Sequence, residues 1–546
     1  MILSTEYFDF LATRFPVMCA SDEFHFLPRV AAASSYYDRM ESLDRESVEG
    51  CIGVLKEFQS KFDRLASDAT ELEKTIDLEL LKASAGAILF EFEENQSWRH
   101  DPVLYLKIAF IGLDHALTKP ADDDEERAER VLARLHTIPG LFKQAVGNLA
   151  GVPKTYYIAA LRMMADCLQY LNEIGANLSI QAPARFVSAL WETRSAVEAF
   201  RESLVALTPV PDDEFMAPHI GTILKERFLS FRDLSEVLQI AVEEWQENLE
   251  HLEKLQRQLN PDKSWKELYH NYLPADADGI DTINLYRRET ERLASFFRAH
   301  GFPEIDLLKL PQISETPVYL QSVRSSASFS AAFSRDSREK DIFYITTRLP
   351  LKRAKESEDL LMRRLHREYR FLAAHETIPG HFHLDSTRRK LENPVRAQIE
   401  LPLFYEGWAY YAESLVTESG YDDDPMGQLV DRKRRLWRAA RCRIEIGSAT
   451  GDLAFNDATA LLTNSGFSFE EAANQVNRFR LNPGYQLCYS LGRFEIMRLR
   501  ETYGPRMGLK RFHRFMLEGG ELPFHLIEKR LAALASTQQD GWGDRS

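Results

Sequence analysis

The sequence predicts a mainly α-helical protein with one small antiparallel β-sheet as an insert. Through most of the chain, apolar residues recur at three- and four-residue steps, which is the spacing of one helix face. One stretch is instead rich in β-branched, aromatic and small residues, as strands are. These patterns divide the chain into an N-terminal helical region (1–310), a β insert (311–350) and a C-terminal helical region (351–546).

The N-terminal region consists of successive amphipathic segments, of which 46–66 and 225–259 are typical. Proline, glycine and runs of acidic residues interrupt the periodicity at 120–126, 138–140 and 209–213. None of these interruptions is long enough to be a flexible linker between domains. We therefore expect helices to end at all three places.

The β insert contains three segments with strand character, at 317–323, 325–334 and 341–347. The second and third segments flank a polar stretch at 335–339 that is typical of a turn. This arrangement predicts the small antiparallel sheet. Helical periodicity returns at Lys352 and continues almost to the end of the sequence.

Charge and cysteine content exclude several classes of function. The formal net charge of −15 argues against nucleic acid or an acidic membrane as a partner, because both favour a basic surface. The five cysteines are odd in number and lack CxxC spacing, so neither a disulfide framework nor a zinc knuckle is indicated. No signal peptide or membrane-spanning stretch is recognisable. We expect a cytoplasmic protein, and nothing in the sequence indicates its oligomeric state.

The segment HETIPGH carries the strongest chemical signal in the sequence. In the helix expected there, His375 and Glu376 face the same way as the apolar stripe. A buried ionised carboxylate is costly unless a metal ion or a donor receives it. A His-Glu pair closely followed by another histidine is the usual beginning of a zinc hydrolase site. The pattern predicts His375 as a metal ligand and Glu376 as the general base.

The spacing of the second histidine requires a break in the helix. His375 and His381 are six residues apart, which on a straight helix places them roughly 240° apart. Pro379 interrupts the helix because it has no N–H and its ring collides with the carbonyl of the residue four before it. Gly380 then tolerates the backbone angles that let the chain turn back. Either His381 or His383 can return to the metal as the second ligand.

The segment LPLFYEGWAYYAESLV is the best source of a third ligand. As a helix it is apolar on nearly all sides, so its two carboxylates, Glu406 and Glu413, are expected to be buried and to need cations or donors. Glu406 is the expected third ligand of one Zn²⁺ per chain. Glu413, two turns later, is better placed to orient a histidine.

Two further groups of side chains have two interpretations each. Arg434, Arg438 and Arg441 share one helix face, which is either a solvated charged face or a site for a substrate carboxylate. Tyr485 and Tyr489 lie one helical turn apart. They are either packed aromatics or phenol donors to a developing oxyanion.

The motifs HETIPGH, EGWAYYAE, RLWRAARCRIEIG and NPGYQLCYSLG occur in this order and resemble those of the domain of unknown function 885 family. The resemblance implies a large multi-helix zincin-like architecture, related in outline to oligopeptidases and carboxypeptidases. It also implies that His375, Glu376, His381 and Glu406 are the metal and base positions. One departure is Ala449, where many members of the family have a histidine.

These observations favour a zinc-dependent peptidase that acts on short peptides. Zinc held by the three ligands activates a water molecule, and Glu376 accepts a proton from that water. Tyr489 or Tyr485 then donates to the oxyanion. An edge strand of the β insert, within 325–334, is a place where an extended peptide could lie.

Two other classes of function stay open. A non-enzymatic helical binding scaffold with a degenerate site would keep the buried cluster without a catalytic metal, and Ala449 favours this alternative. A metal-dependent amidase or esterase would keep the metal and Glu376 but act on non-peptide substrates. The sequence does not separate these classes.

Overall fold

The computed structural model describes residues 2–178, 184–215, 220–302, 304–305, 309–334, 336–347 and 355–537. Within these ranges the chain is mainly helical and has a small three-stranded sheet, so this part of the predicted fold is confirmed. The helices before the sheet are α1 (Ile2–Arg14), α2 (Arg45–Asp68), α3 (Leu72–Phe90), α4 (Ser97–His100), α5 (Pro102–Thr118), α6 (Asp124–Asn148), α7 (Lys154–Leu178), α8 (Ala184–Val205), α9 (Ile220–Thr222), α10 (Leu234–Leu259), α11 (Trp265–Asn271) and α12 (Thr282–Ala299). The helices after it are α13 (Lys355–Glu376), α14 (His381–Arg388), α15 (Pro402–Glu418), α16 (Pro425–Thr450), α17 (Phe455–Asn464), α18 (Phe469–Phe479), α19 (Leu487–Met507), α20 (Leu509–Glu518) and α21 (Phe524–Thr537).

Local sequence signals fix several helix starts. Asp233 accepts a hydrogen bond from the backbone N–H of Glu236, whose side chain bonds back to the N–H of Asp233. This reciprocal capping satisfies two of the N–H groups that lack a partner in the first turn of a helix. Ser264 and Ser468 begin α11 and α18 in the same way.

The expected helix end at 138–140 is wrong, because α6 continues through Pro139. The apolar face of α6 includes Leu135, Ile138 and Phe142, which are buried where the helix packs against α5 and α8. This burial offsets the hydrogen bond that Pro139 cannot make. The other two interruptions do separate helices, α5 from α6 and α8 from α9.

The sheet is mixed, so the prediction of an antiparallel sheet is wrong for one of its two pairings. Its strands are β1 (Gln312–Glu315), β2 (Ala327–Ser330) and β3 (Ile342–Ile345), in the order β1-β3-β2. β2 pairs with β3 antiparallel, as expected, whereas β1 pairs with β3 in parallel. A parallel pair needs a long connection. The chain between β1 and β3 is long enough, and it includes β2, which pairs with the other edge of β3.

The first predicted strand was placed too late in the sequence. Residues 318–320 form a turn of 3₁₀ helix after Pro317, whose ring fixes φ near the helical value. β1 lies earlier and contains one strongly apolar residue, Ile313, so its periodicity is weak. In the polar stretch 335–339, Arg335 lies outside the described residues, as does the expected boundary between 350 and 351.

The buried apolar residues form one large cluster that extends from Tyr7 to Leu531. A smaller cluster lies between α16, α17 and α18. The division into three regions stays a prediction.

All five cysteines are buried and none forms a disulfide. Among the described residues, no helix combines the length and the apolar character needed to cross a membrane.

The crossing of α15 and α19 positions the residues described below. A Cβ atom on Gly407 would lie 2.6 Å from the Cα atom of Gly492. Only glycine at both positions allows the two backbones to approach this closely. As a result, Glu406 on α15 faces Tyr489 on α19.

Candidate metal centre

A turn between α13 and α14 brings the two histidines of HETIPGH together. His375 lies one residue before the end of α13, and His381 is the first residue of α14. The Ile378–Pro379 peptide bond between them is cis. Gly380 passes so close to the carbonyl of His375 that any Cβ atom would collide with it. The expected break at Pro379 and the need for glycine after it therefore have a direct structural cause.

Neighbouring aromatic side chains fix this turn. The Trp408 indole donates a hydrogen bond of 2.8 Å to the carbonyl of Pro379. The His381 ring stacks on Tyr405 with ring centroids 4.0 Å apart. The rings of His375 and His381 lie edge to face at 4.7 Å.

His375, His381 and Glu406 form a buried cluster with the geometry of a metal site. One ligand atom from each residue lies within 4.8 Å of the other two. Glu406 Oε2 is 3.4 Å from His375 Nε2 and 3.6 Å from His381 Nε2. A tetrahedral zinc ion with bonds of about 2.0–2.1 Å holds its ligand atoms roughly 3.4 Å apart. The two distances therefore fit one zinc ion between the three residues.

The carboxylate oxygen that faces the histidines lacks a well-formed hydrogen bond. Glu406 Oε2 is buried and unpaired by hydrogen-bond geometry, as is Nδ1 of His381. Burial alone would raise the pKa of Glu406, but the two nearby imidazoles hold it well below its ordinary value. Burial and Arg438 lower the pKa of His375, yet the carboxylates of Glu406 and Glu413 raise it overall. The cluster thus contains an ionised carboxylate whose Oε2 has no well-formed hydrogen bond, and a bound cation would satisfy it.

The other oxygen of Glu406 is held by the two predicted tyrosines. Tyr485 and Tyr489 donate hydrogen bonds of 2.6 and 3.0 Å to Oε1. Burial raises the pKa of both phenols, so both keep their protons. They contact Glu406 of the buried cluster directly and are more than packed aromatics.

Glu413 connects His375 to the arginines of α16. Its Oε1 lies 2.9 Å from His375 Nδ1, and its Oε2 accepts from Arg434 Nε at 2.8 Å. Arg438 also donates to Oε1. Burial alone would raise the pKa of Glu413, but Arg434, Arg438 and His375 together hold it well below its ordinary value. Glu368 pairs with Arg434 on the other side at 2.6 Å and extends the network.

The interpretation of the three arginines as a solvated face is wrong. Arg434, Arg438 and Arg441 are 1%, 3% and 9% exposed. This face of α16 contacts Glu413 on α15 and Tyr489 on α19, so it points inward. The alternative interpretation, a site for a substrate carboxylate, stays a prediction at this point.

The remaining two site residues lie on different sides of the turn. Glu376 is 6% exposed and lines the cavity described next, and its carboxylate makes no hydrogen bond to the described residues. His383 instead points away from the cluster, with Nε2 3.3 Å from Glu304 and its ring against Phe302. The structure therefore groups His381, and not His383, with His375 and Glu406.

The cluster opens into a cavity of about 500 Å³. Its walls come from the loop 21–27, from 325–329 at strand β2, and from helices α13, α16 and α18. Among the described residues β2 has a partner strand on one side only, so it is an edge strand beside the cavity.

Several residues around the site were not predicted from the sequence, because they belong to no recognisable motif. The ring of His25, in an aperiodic loop far from the motifs in sequence, lies 4.6 Å from the ring of Tyr485 and lines the cavity. Tyr405, next to Glu406, supports His381 but looks like an ordinary apolar residue of its helix. Buried Gln475 on α18 also lines the cavity, and no pattern marks it.

A sequence model of the family described as "Bacterial protein of unknown function (DUF885)" matches residues 28–531. The chain belongs to this family. The resemblance inferred from the four motifs is thereby confirmed at the level of the family. A comparison with curated proteins finds no match.

Two solved structures share the fold of this DUF885 protein. One, described as a candidate lipoprotein of unknown function from Shewanella oneidensis, is 19% identical, with a TM-score of 0.72 over 97% of this chain and 99% of its own. The other, a candidate lipoprotein from Colwellia psychrerythraea, is 15% identical, with a TM-score of 0.74 over 98% and 100%. At these identities the likeness shows the fold alone. The cytoplasmic location expected for this chain stays a prediction.

Ala449, the position that departs from the family pattern, lies away from the cluster and cavity described above. Ala449 is exposed near the end of α16 and does not line the cavity. The feature that favoured a degenerate scaffold therefore lies on the surface.

Proposed function

We propose that this protein is a zinc-dependent peptidase of zincin-like architecture that hydrolyses short peptides. The observation that carries the proposal is the buried cluster of two imidazoles and one carboxylate, whose atoms have the separations of zinc ligands. Three protein ligands are typical of catalytic zinc sites, which keep one position open. The cavity begins at this cluster, where that open position is needed.

His375, His381 and Glu406 would hold the ion, and Glu413 would fix the orientation of the His375 ring through its Nδ1. When bound, zinc supplies Lewis acidity, which lowers the pKa of a water ligand and polarises a carbonyl group. Tyr485 and Tyr489 hold Oε1 of Glu406, so Oε2 is the oxygen left for the ion.

Glu376 would serve as the general base. It follows His375 directly, lines the cavity and has no competing hydrogen bond from the described residues. Its carboxylate can take a proton from the attacking water and return it to the amine that leaves. Tyr489 and Tyr485 keep their phenol protons. One of them can turn its proton from Glu406 Oε1 to the oxyanion while the other still holds Oε1.

The shape of the cavity favours a peptide over a folded protein. A volume of about 500 Å³ lies within the range of sites for small molecules, roughly 300–1,000 Å³. The backbone at 325–329 borders the cavity at the edge strand β2, where an extended peptide can add backbone hydrogen bonds.

The metal content tests the ligand assignment. We expect protein purified without chelators to contain about one zinc ion per chain, and His375→Ala or His381→Ala to lose most of it. His383→Ala is the matched control, because His383 is equally buried but lies outside the cluster, and it should keep its zinc. Wild-type protein without zinc, or equal loss in all three variants, would contradict the assignment.

Digestion of a peptide library tests the reaction. We expect cleavage of short peptides by the zinc-loaded protein and none by the His381→Ala variant. A parallel panel of simple amides and esters identifies the substrate class. Zinc binding without turnover of any of these compounds would return the protein to the binding-scaffold class.

A further inference from the structure

One arginine on the cavity wall has no carboxylate partner. Arg434 and Arg438 are both committed to Glu413, but no acidic group among the described residues lies within ion-pair distance of Arg441. The Arg441 side chain is buried and lines the cavity. Its Nε donates to Gln486 at 2.7 Å. A buried charge without a counter-ion is unfavourable, and a ligand that supplies the counter-ion removes the cost.

The surroundings of Arg441 strengthen its attraction for an anion. Its guanidinium carbon lies 3.9 Å from the ring centre of Tyr489, 5.0 Å from that of Trp437 and 5.4 Å from that of Phe479. These rings exclude water from around the charge, and a charge-assisted hydrogen bond is stronger in such surroundings. Glu445, one turn later, accepts a hydrogen bond of 2.8 Å from the backbone N–H of Gly484 and forms no ion pair with Arg441.

A second donor without a partner lies on the same wall. Gln475 is 8% exposed, and its Oε1 accepts a hydrogen bond of 2.8 Å from the Trp437 indole. Its Nε2 is buried and has no hydrogen-bond partner. Trp437 therefore contacts both Gln475 and Arg441, and both line the cavity. A carboxylate in the cavity beside Trp437 would offer an acceptor to both donors.

We propose that Arg441 and Gln475 bind the C-terminal carboxylate of the peptide substrate. The inference rests on the proposed peptidase function. Arg441 lies against the ring of Tyr489, whose hydroxyl is 3.0 Å from the ligand Glu406. At about 3.3–3.6 Å per residue, a peptide anchored there places its last or second-last bond at the metal cluster. The protein is accordingly a carboxypeptidase that releases one or two residues at a time.

Matched peptides test this specificity. We expect zinc-loaded wild-type protein to cleave a tetrapeptide with a free C-terminal acid at least about tenfold faster in kcat/KM than its amide, because a charge-assisted hydrogen bond is lost. Arg441→Gln should lower kcat/KM for the free acid by a similar factor, remove most of the preference for the free acid over the amide and keep its zinc. Arg441→Lys should restore part of the preference.

The control is Arg364→Gln, which changes another cavity-lining arginine that already pairs with Glu471 at 3.4 Å. This variant should keep the preference for the free acid. Equal cleavage of acid and amide by the wild type would overturn the proposal, as would a preference that survives in Arg441→Gln.

Calorimetry separates this proposal from the peptidase proposal. If zinc-loaded protein cleaves no peptide, the peptidase function fails, but binding of N-acetylphenylalanine and of its amide still tests the carboxylate site. Tighter binding of the acid that disappears in Arg441→Gln supports the site. Equal binding of the two compounds, or binding of neither, overturns it.

Discussion

The two oxygens of Glu406 meet different partners, and this difference determines how the residue can act. Oε2 faces the two histidines, whereas Oε1 is held by two phenols. A carboxylate fixed in this way offers one oxygen to a metal ion and cannot rotate to offer both. Side chains that orient a ligand typically change metal affinity or activity about 10- to 100-fold when they are removed.

Removal of either phenol should therefore weaken metal binding. We expect Tyr485→Phe and Tyr489→Phe each to lower zinc affinity or kcat by about tenfold, and the double variant to lose more. Competition with a chelator measures the affinity. Wild-type affinity and rate in the double variant would show that the phenols only pack against the ligand.

The role of Glu376 can be separated from that of its neighbour. Glu376→Gln keeps the size of the side chain but removes the base, so kcat should fall on the order of a hundredfold or more. The zinc content should not change, because Glu376 is not among the three grouped ligand residues. Loss of zinc in this variant would make Glu376 a ligand, and undiminished turnover would exclude it as the base.

At the scale of elements, the centre depends on how closely helices approach each other. Glycines at 407 and 492 allow α15 and α19 to touch, and this contact aligns Glu406 with the phenols. A side chain at either position would hold the two helices apart and would move Glu406 away from the phenols.

Gly407→Ala should separate the two helices. The added methyl group lies 2.6 Å from Gly492 Cα, so we expect a loss of about 1–3 kcal/mol in the free energy of unfolding together with lower activity. Gly140→Ala in α6 is the control, because a Cβ atom there meets nothing within 4 Å. It should be neutral or stabilise by up to about 1 kcal/mol. Denaturant unfolding measures both, and equal effects would contradict the packing argument.

The sequence predicted elements well where one strong periodicity decided the structure, and less well where tertiary contacts decided it. Apolar spacing predicted the helices around the site, and Pro379 indicated the turn between α13 and α14. Pro139 misled because the local rule for proline takes no account of the packing of α6. β1 has one strongly apolar residue and finds its parallel partner only in the folded chain. Burial of Arg441 likewise depends on tertiary contacts with Phe479 on α18 and Tyr489 on α19.

At the scale of the whole molecule, buried ion pairs join the two halves of the chain. Arg29 pairs with Asp385 at 2.6 Å, and Arg388 binds the same carboxylate. Burial alone would raise the pKa of Asp385, but these guanidinium groups lower it to about 2. The pKa of Glu23 is also lowered to about 2, since burial is outweighed by Lys107 and Arg324.

These pairs predict how stability depends on pH. A carboxyl whose pKa is lower in the folded than in the unfolded state stabilises the fold above its unfolded value of about 4, and this contribution disappears as the pH falls towards 2. We expect the melting temperature to fall over that interval. Asp385→Asn should lower it at pH 7 and flatten its fall below pH 4, whereas Asp457→Asn, at an exposed position, should change neither. Parallel curves for wild type and Asp385→Asn would contradict this account.

The contact between His25 and Tyr485 determines when the cavity can form during synthesis on the ribosome. The walls of one cavity come from segments far apart in the sequence, with roughly 460 residues between these two rings. At about 5–20 residues per second, the ribosome needs roughly half a minute to a minute and a half to make that stretch. On the proposed function, a growing chain carries the HETIPGH segment roughly 5–20 s before it carries Tyr485. The nascent chain therefore has no complete site of the proposed kind until synthesis has passed Tyr489.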